Sequence, residues 1–224
     1  FQTEKNDIAI FTAPGSGAIE TGVASLFAPH DKVVVISNGP FANRAMEIMK
    51  HFGCQIIEVS SEWGQPGDLQ KMKQTLADQR DLAGVVVVAN ETGTGVCNPV
   101  QELAQLAHAH DLPILVDAVS GMGGYSLPVD EWELDLVCTS SNKALEMSPG
   151  LGIVCVGPRA WTIIEEKKAR AMRGWYYNLS TWKSYRDNRA GAPPSPTTMA
   201  STLIAGLRTS LKRIVEQETL TGHW

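Results

Sequence analysis

The sequence predicts an α/β fold built on a mainly parallel sheet. Strand-like apolar runs alternate with helix-like segments from residue 8 onward, which is the order expected when each strand connects to the next through a helix. The run at residues 84–89 is apolar without alternation, as in a strand buried on both faces. With 224 residues, 43% of them hydrophobic, the chain can form one large domain with a full core.

Each element is predicted from its own local pattern. Short apolar runs, mostly bounded by Gly, Pro, Asn or Asp, predict seven strands, at residues 8–12, 32–36, 55–59, 84–89, 112–116, 134–138 and 152–156. Apolar positions at helical spacing predict four helices between them, at residues 18–27, 42–52, 68–77 and 100–110. A Pro-rich loop at 191–196 precedes a long helix predicted at 199–216, for which Thr197 and Thr198 are candidate caps.

The composition excludes several classes of protein. No apolar stretch approaches the roughly 20 residues that a membrane-spanning helix requires, and the polar first seven residues do not resemble a signal peptide. The four cysteines form no CxxC pair and the histidines match no zinc pattern, so we expect no metal site. Sparse thiols in apolar surroundings indicate a reducing compartment, the cytoplasm or an organelle.

The distribution of charge is uneven along the chain. Residues 1–157 carry 8 Lys and Arg against 19 Asp and Glu, whereas residues 158–224 carry 11 against 5. The basic residues are scattered without a nucleic-acid-binding motif, so we expect no nucleic-acid partner. A docking surface for an acidic partner, such as a second copy of the chain, accounts for them better.

The loop between the first strand and the first helix could hold an anion. Gly15 and Gly17 allow close approach to the backbone, Ser16 adds a hydroxyl, and the helix N-terminus offers free N–H groups. The loop matches neither the dinucleotide-binding nor the P-loop pattern. Taken alone, a tight turn without a ligand explains it equally well.

Two further strand ends carry ionisable residues. Asp117 follows the strand at 112–116, where a helix cap is the alternative role, and Lys143 follows small polar residues after the strand at 134–138, where a solvated lysine is the alternative. Ligands of open α/β sheets bind where strands end and helices begin. A phosphate cradle, a carboxylate and a lysine at successive strand ends are together the components of a pyridoxal 5'-phosphate (PLP) site.

Ordered motifs make the chain similar to a known family. The segments 117–120 (Asp-Ala-Val-Ser) and 141–143 (Ser-Asn-Lys) resemble the class V, fold type I, PLP-dependent aminotransferases. The resemblance is strongest to the alanine–glyoxylate, serine–glyoxylate and 2-aminoethylphosphonate–pyruvate transaminases. It covers most of residues 8–160, with further motifs at 15–20, 38–41, 90–96, 123–124 and 148–152. It implies a three-layer sandwich around the sheet, PLP as cofactor, and a homodimer with a shared active site.

The resemblance also implies roles for individual residues. It makes Lys143 the Schiff-base lysine and Asp117 the partner of the pyridine nitrogen. Phe41 would stack on one face of the cofactor ring and Val119 would cover the other. Thr92 would reach the phenolic oxygen of the cofactor.

A second group of residues would bind the cofactor phosphate. The cradle of Gly15, Ser16 and Gly17 would hold it with Asn142 beside them, and Thr198 would reach it from the neighbouring subunit. Pro14 departs from the family, since it removes one N–H where Ser or Gly is usual.

The function implied is the transfer of an amino group from a small amino acid, such as alanine or serine, to glyoxylate or pyruvate. Asn142 directly before the lysine leaves a second possibility, a 2-aminoethylphosphonate–pyruvate or other amine–pyruvate transaminase. The alternative from another class is a non-catalytic PLP-binding or dimerisation fragment. Cysteine desulfurases are disfavoured, because they carry histidines where this chain has Phe41 and Asn142.

The domain organisation expected is that of part of a longer enzyme. Residues 1–190 would be the PLP-binding large domain, and residues 191–224 a loop and helix leading toward a small C-terminal domain that is not in this sequence. The first residue is Phe rather than Met, which agrees with that expectation. In the family, the small domain supplies the arginine for the substrate carboxylate, so no residue of this sequence is assigned that role. Arg173 and Arg189 are expected only to be exposed basic residues.

Overall fold

A seven-stranded mixed sheet organises the chain. The computed structural model describes residues 1–171, 174–187 and 195–224. In spatial order the sheet is β1-β9-β8-β7-β4-β2-β3. The strands are β1 Asp7–Thr12, β2 Lys32–Ser37, β3 Gln55–Ser60, β4 Leu82–Val88, β7 Ile114–Asp117, β8 Leu136–Ser140 and β9 Leu151–Val156. Every strand pair is parallel except the two made by β9, so the mainly parallel sheet predicted from the sequence is confirmed.

Helices cover both faces of this sheet. The helices are α1 Gly15–Leu26, α2 Pro40–His51, α3 Leu69–Asp78, α4 Val100–Ala109, α5 Pro158–Ala171, α6 Leu179–Asp187, α7 Ser201–Lys212 and α8 Leu220–His223, with a π-helical segment Arg213–Glu218 between the last two. Val86 of β4 packs in a core with α1, α2 and α5, whereas Val85 and Val87 pack in another with α3 and α4. The alternation along one fully buried strand therefore confirms the three layers.

Several elements differ from the expectation. The strand predicted at 112–116 begins at Ile114, since Pro113 has no N–H to donate to a neighbouring strand. The helices α5 and α6 were not predicted, and neither was the short hairpin of β5 Asn90–Glu91 and β6 Val96–Cys97. No described helix combines the length and apolar character needed to cross a membrane.

The start of the long C-terminal helix corrects the capping prediction. The helix begins at Ser201, with Ala200 at its cap position, so Thr197 and Thr198 are not the caps. The Ala200 side chain makes no capping hydrogen bond. The Ala200 N–H donates to Oγ1 of Thr12, at the end of β1, over 3.3 Å, and this hydrogen bond ties the start of the helix to the sheet. Of the loop predicted at 191–196, residues 191–194 lie outside the described residues.

Candidate active site

A small cleft lies at the carboxyl ends of the central strands. Eight residues line it, namely Phe41, Val88, Asn90, Thr92, Asp117, Val119, Ser120 and Lys143. Five of them were singled out in the sequence as site residues, although they are separated by up to about a hundred positions. The fold brings them together because β4, β7 and β8 are parallel and end at the same edge of the sheet.

Asp117 is the last residue of β7 and only 4% exposed. Its Oδ1 accepts a hydrogen bond of 3.0 Å from the Val119 N–H. Burial raises the pKa of the Asp117 carboxyl from 3.8 to about 6; the negative charge of Glu91 adds to the rise, while the Val119 hydrogen bond and Arg44 oppose it. None of the described lysines or arginines forms an ion pair with this carboxylate. It is therefore a buried acid without an ion-pair partner among the residues that the structure describes.

Lys143 opens a short 3-10 turn, Lys143–Leu145, three positions after the end of β8. Its φ of 64° lies in the left-handed region, which is unfavourable for a residue with a side chain. The residue is exposed, and its amine forms no hydrogen bond or ion pair with any residue that the structure describes. The backbone is thus held in a costly conformation that presents an unused amine at the cleft.

The turn that carries Lys143 is fastened by the C-terminal helices. Ser210 Oγ donates a hydrogen bond of 2.5 Å to the carbonyl of Leu145, and His223 Nε2 donates one of 2.7 Å to the carbonyl of Ala144. Arg213 also forms an ion pair with Glu146. These contacts explain how the turn keeps its strained backbone.

Removing one of these contacts should loosen the turn. We expect Ser210→Ala to lower the free energy of unfolding by about 1–3 kcal/mol, because it leaves the Leu145 carbonyl without its donor in a buried place. Urea denaturation would measure the loss. The control is Ser201→Ala at the exposed start of α7, for which a comparable loss would contradict the assignment.

The start of α1 has the features of an anion cradle. The helix begins at Gly15, and the Gly17 N–H donates to the Pro14 carbonyl over 2.9 Å. The N–H groups of Gly15 and Ser16 have no acceptor among the described residues. A Cβ on Gly15 would lie 2.8 Å from Cγ2 of Val119, so any side chain there would collide with the wall of the cleft.

Gly17 serves the packing of the helix rather than the lining of the cleft. It is buried, and a Cβ there would lie 2.9 Å from Cβ of Ala13 and 3.2 Å from the ring of Tyr177. Asn142, in contrast, adjoins the cradle. Its Oδ1 accepts a hydrogen bond of 2.6 Å from Ser140 Oγ, and the Cβ of that serine lies 3.3 Å from the Cβ position of Gly15.

Adding a methyl group to the cradle should therefore damage it. We expect Gly15→Ala to lower the free energy of unfolding by about 1–3 kcal/mol, because the short branched side chain of Val119 cannot move away freely. It should also weaken the binding of inorganic phosphate, measured by calorimetry. The comparison variant Ser16→Ala keeps both free N–H groups and should bind phosphate more tightly than Gly15→Ala. If Gly15→Ala instead bound phosphate more tightly, the assignment of this loop as a phosphate-binding cradle would be wrong.

Thr198 does not line this cleft. It is exposed, in the loop before α7. Arg173 and Arg189 lie outside the described residues.

The structure adds residues that sequence reasoning missed. Ser120 Oγ accepts a hydrogen bond of 2.8 Å from Thr92 Oγ1 and donates one of 2.9 Å to the Asn90 carbonyl. Glu91 is fully buried beside Phe41, whose ring lies 4.8 Å from the guanidinium of Arg44. The two motifs at 90–96 and 117–120 contained Asn90, Glu91 and Ser120. Nothing in the sequence showed that the side chains of Asn90 and Ser120 meet, or that Glu91 is buried against the start of α2.

The sequence profile described as aminotransferase class-V matches residues 1–211, which is nearly the whole chain. The chain belongs to the class V aminotransferases. This confirms the resemblance seen in the motifs, and the family is PLP-dependent.

The relatives of this class V aminotransferase chain include a hydrogenase subunit and an aminotransferase. It is 34% identical over 213 residues to the soluble hydrogenase 42 kDa subunit of Anabaena cylindrica, covering 94% of this chain and 54% of that protein. It is 30% identical over 227 residues to the serine–glyoxylate aminotransferase of Arabidopsis thaliana, covering 97% and 54%. The chain thus spans about half the length of the curated relatives it matches.

A solved structure shows the same architecture. The alanine–glyoxylate aminotransferase of Nostoc sp. superposes with a TM-score of 0.89 at 27% identity, covering 100% of this chain and 58% of that one. The class V aminotransferase fold was therefore correctly predicted from the sequence.

Proposed function

We propose that this protein is a PLP-dependent transaminase that moves an amino group from a small amino acid, such as alanine or serine, to glyoxylate or pyruvate. The observation that carries the proposal is the cleft in which Asp117, a buried acid without a described counterion, and Lys143, an amine without a described partner, lie together. Both groups suit a ligand that brings a protonated ring nitrogen and an aldehyde.

The cradle supports the same ligand. Two free N–H groups begin the 12-residue helix α1, where an anion is favoured by the helix dipole, and Gly15 leaves the space that a Cβ would fill. We propose that Gly15, Ser16 and Asn142 bind the phosphate, with Gly17 keeping the helix start compact. The residues present therefore fit PLP, which when bound supplies an aldehyde for amino groups and a ring that withdraws electrons from the substrate Cα.

The chain's own groups would then act as follows. The Lys143 Nζ would hold the cofactor through its aldehyde and, once displaced by an amino donor, would act as the base that moves the proton from the donor Cα. The Asp117 carboxylate would hold a proton on the ring nitrogen. Phe41 and Val119 would confine the ring from its two faces. The Thr92 hydroxyl would reach the phenolic oxygen by exchanging its hydrogen bond to Ser120 Oγ for one to the cofactor.

We also propose a cytoplasmic or organellar homodimer. Thr198 is exposed and outside the cleft of its own chain, so it is free to reach the phosphate in a second copy. The basic segment after residue 158 and the acidic segment before it are suited to meet across such an interface. All four cysteines are free thiols, as a reducing compartment allows.

One observation favours a second substrate class. Asn142 precedes the lysine, as in the aminoethylphosphonate and pyridoxamine transaminases that the motif resembles, so an amine–pyruvate reaction is the second candidate. A panel of alanine, serine and 2-aminoethylphosphonate with glyoxylate or pyruvate would distinguish the two, since only the productive pair gives the matching oxo product.

Addition of PLP tests the proposal directly. We expect a visible absorption band, and borohydride treatment should fix the cofactor to the peptide that contains Lys143. Lys50→Ala, at an exposed position of α2, should leave the band unchanged. The absence of a band, or a band that survives Lys143→Ala unchanged, would overturn the cofactor assignment. A band without amino transfer from any donor would favour the non-catalytic alternative.

A further inference from the structure

Glu91 is a buried acid for which the proposed reaction has no direct use. It lies in the short strand β5 and has no exposed surface. It belongs neither to the residues that line the cleft nor to those that bind the phosphate. Burial of a carboxylate is costly unless its oxygens receive hydrogen bonds, so its partners indicate what it does.

The partners of Glu91 are backbone groups on two sides of the cleft. Its Oε2 accepts hydrogen bonds of 3.1 Å from the N–H groups of both Phe41 and Ala42, and its Oε1 accepts one of 3.2 Å from the Gly93 N–H. Phe41 and Ala42 belong to the first turn of α2, whose N–H groups have no partner inside the helix. A negative charge is favoured there by the helix dipole.

The residues around the Glu91 carboxylate are tightly packed. A Cβ on Gly39 would lie 2.4 Å from Cγ of Glu91, and a Cβ on Gly93 would lie 2.3 Å from Cγ of Pro40. The start of α2 and the turn after β5 therefore touch through two glycines, with Glu91 between them. A shift of either segment would break the hydrogen bonds of the other.

We propose that Glu91 is a positioning residue, which holds the ring of Phe41 and the hydroxyl of Thr92 at a fixed separation across the cleft. Phe41 receives one of its hydrogen bonds, and Thr92 is the residue between Glu91 and Gly93. The inference rests on the proposed function, because it matters only if a planar cofactor lies between these two groups.

Glu91 also belongs to the electrostatic surroundings of Asp117. The charged and titratable groups around Asp117 are Glu91 on β5, Arg44 on α2, the Cys138 thiol on β8, and Lys143 on the turn that follows. Of these, Glu91 raises the pKa of Asp117 and Arg44 lowers it. Neutralising Glu91 should therefore let Asp117 stay ionised to a lower pH, an effect that a general loss of packing would not produce.

The test compares Glu91→Gln with the wild type and with Glu102→Gln, an exposed acid on α4. A carboxamide has one acceptor oxygen and a donor NH₂ group, so it cannot satisfy both segments. We expect Glu91→Gln to bind PLP at Lys143 about tenfold more weakly, as for the loss of a charged hydrogen bond. The pH at which half of the cofactor is lost on acidification should fall. Glu102→Gln should match the wild type in both.

The possible outcomes separate this inference from the proposed function. Failure of the wild type to form the Lys143-linked band would count against the function itself. A wild type that binds, with Glu91→Gln equal to it in affinity and pH midpoint, would overturn the positioning role. The positioning role would also be overturned if Glu91→Gln lost thermal stability and affinity for PLP while the pH at which half of the cofactor is lost stayed unchanged. Should Glu91→Gln fail to fold, Glu91→Asp keeps the charge on a shorter side chain and should weaken binding with the wild-type midpoint; unweakened binding would refute the proposal.

Discussion

Replacing Lys143 with alanine is expected to lower the single-turnover rate of amino transfer at least about a thousandfold, because no other described side chain at the cleft offers a free amine to take the Cα proton. Lys143→Arg should be equally inactive, since a guanidinium keeps the charge but does not act as a nucleophile. Stopped-flow measurement of the bound cofactor with alanine or serine would follow the rate. A rate within tenfold of the wild type would contradict the role given to Lys143.

The strained backbone at the same position provides a control for folding. At a φ of 64°, a residue with a Cβ costs about 1–2 kcal/mol relative to glycine. Lys143→Gly should therefore make the cofactor-free chain more stable than Lys143→Ala while being just as inactive. If both variants are inactive but the glycine variant unfolds at higher urea concentration, the lost activity cannot be ascribed to a lost fold.

Replacing Asp117 with asparagine is expected to stabilise the cofactor-free chain at neutral pH by about 3 kcal/mol, the free-energy equivalent of a pKa raised from 3.8 to about 6. The native chain binds more protons than the unfolded chain between these two pH values, so its stability falls as the pH rises through them. Above about pH 6 the buried charge costs its full amount, and asparagine carries no such charge. The carboxamide oxygen of the variant can still accept the hydrogen bond from the Val119 N–H.

The same substitution should impair the reaction by about a hundredfold or more, because a neutral amide cannot hold the proton on the cofactor ring. Urea denaturation at pH 4 and pH 8, without cofactor, would measure the stability difference, which should be larger at pH 8. A difference that does not change with pH would show that the Asp117 charge is not its source. Saturating PLP should stabilise the wild type more than the variant.

Much of the fold could be predicted because its signals are local. The run at residues 84–89 indicated a strand buried on both faces, and the parallel order of the strands places Asp117 and Lys143 at one edge. The antiparallel strand β9 was not predicted to run against its neighbours, since its composition matches theirs. Strand direction depends on the connections between strands, and apolar periodicity does not report it.

The candidate site could be predicted only in part, for a related reason. Motifs identified the residues that face the cleft, such as Phe41 and Thr92. They did not identify Glu91 as the residue proposed to position these two. Glu91 reads in the sequence as an ordinary acid beside a turn, because its partners are backbone N–H groups about 50 positions away. Likewise, Thr198 had the local pattern of a helix cap, but the helix begins at Ser201 with Ala200 at its cap position.

The contacts that fasten the Lys143 turn bear on the order in which the site can form. Ser210, Arg213 and His223 follow their partners in the turn by 65, 67 and 79 residues. A ribosome therefore makes the turn that bears the lysine well before the helices that hold it. Attachment of the cofactor would then follow the docking of α7 and α8 against this turn.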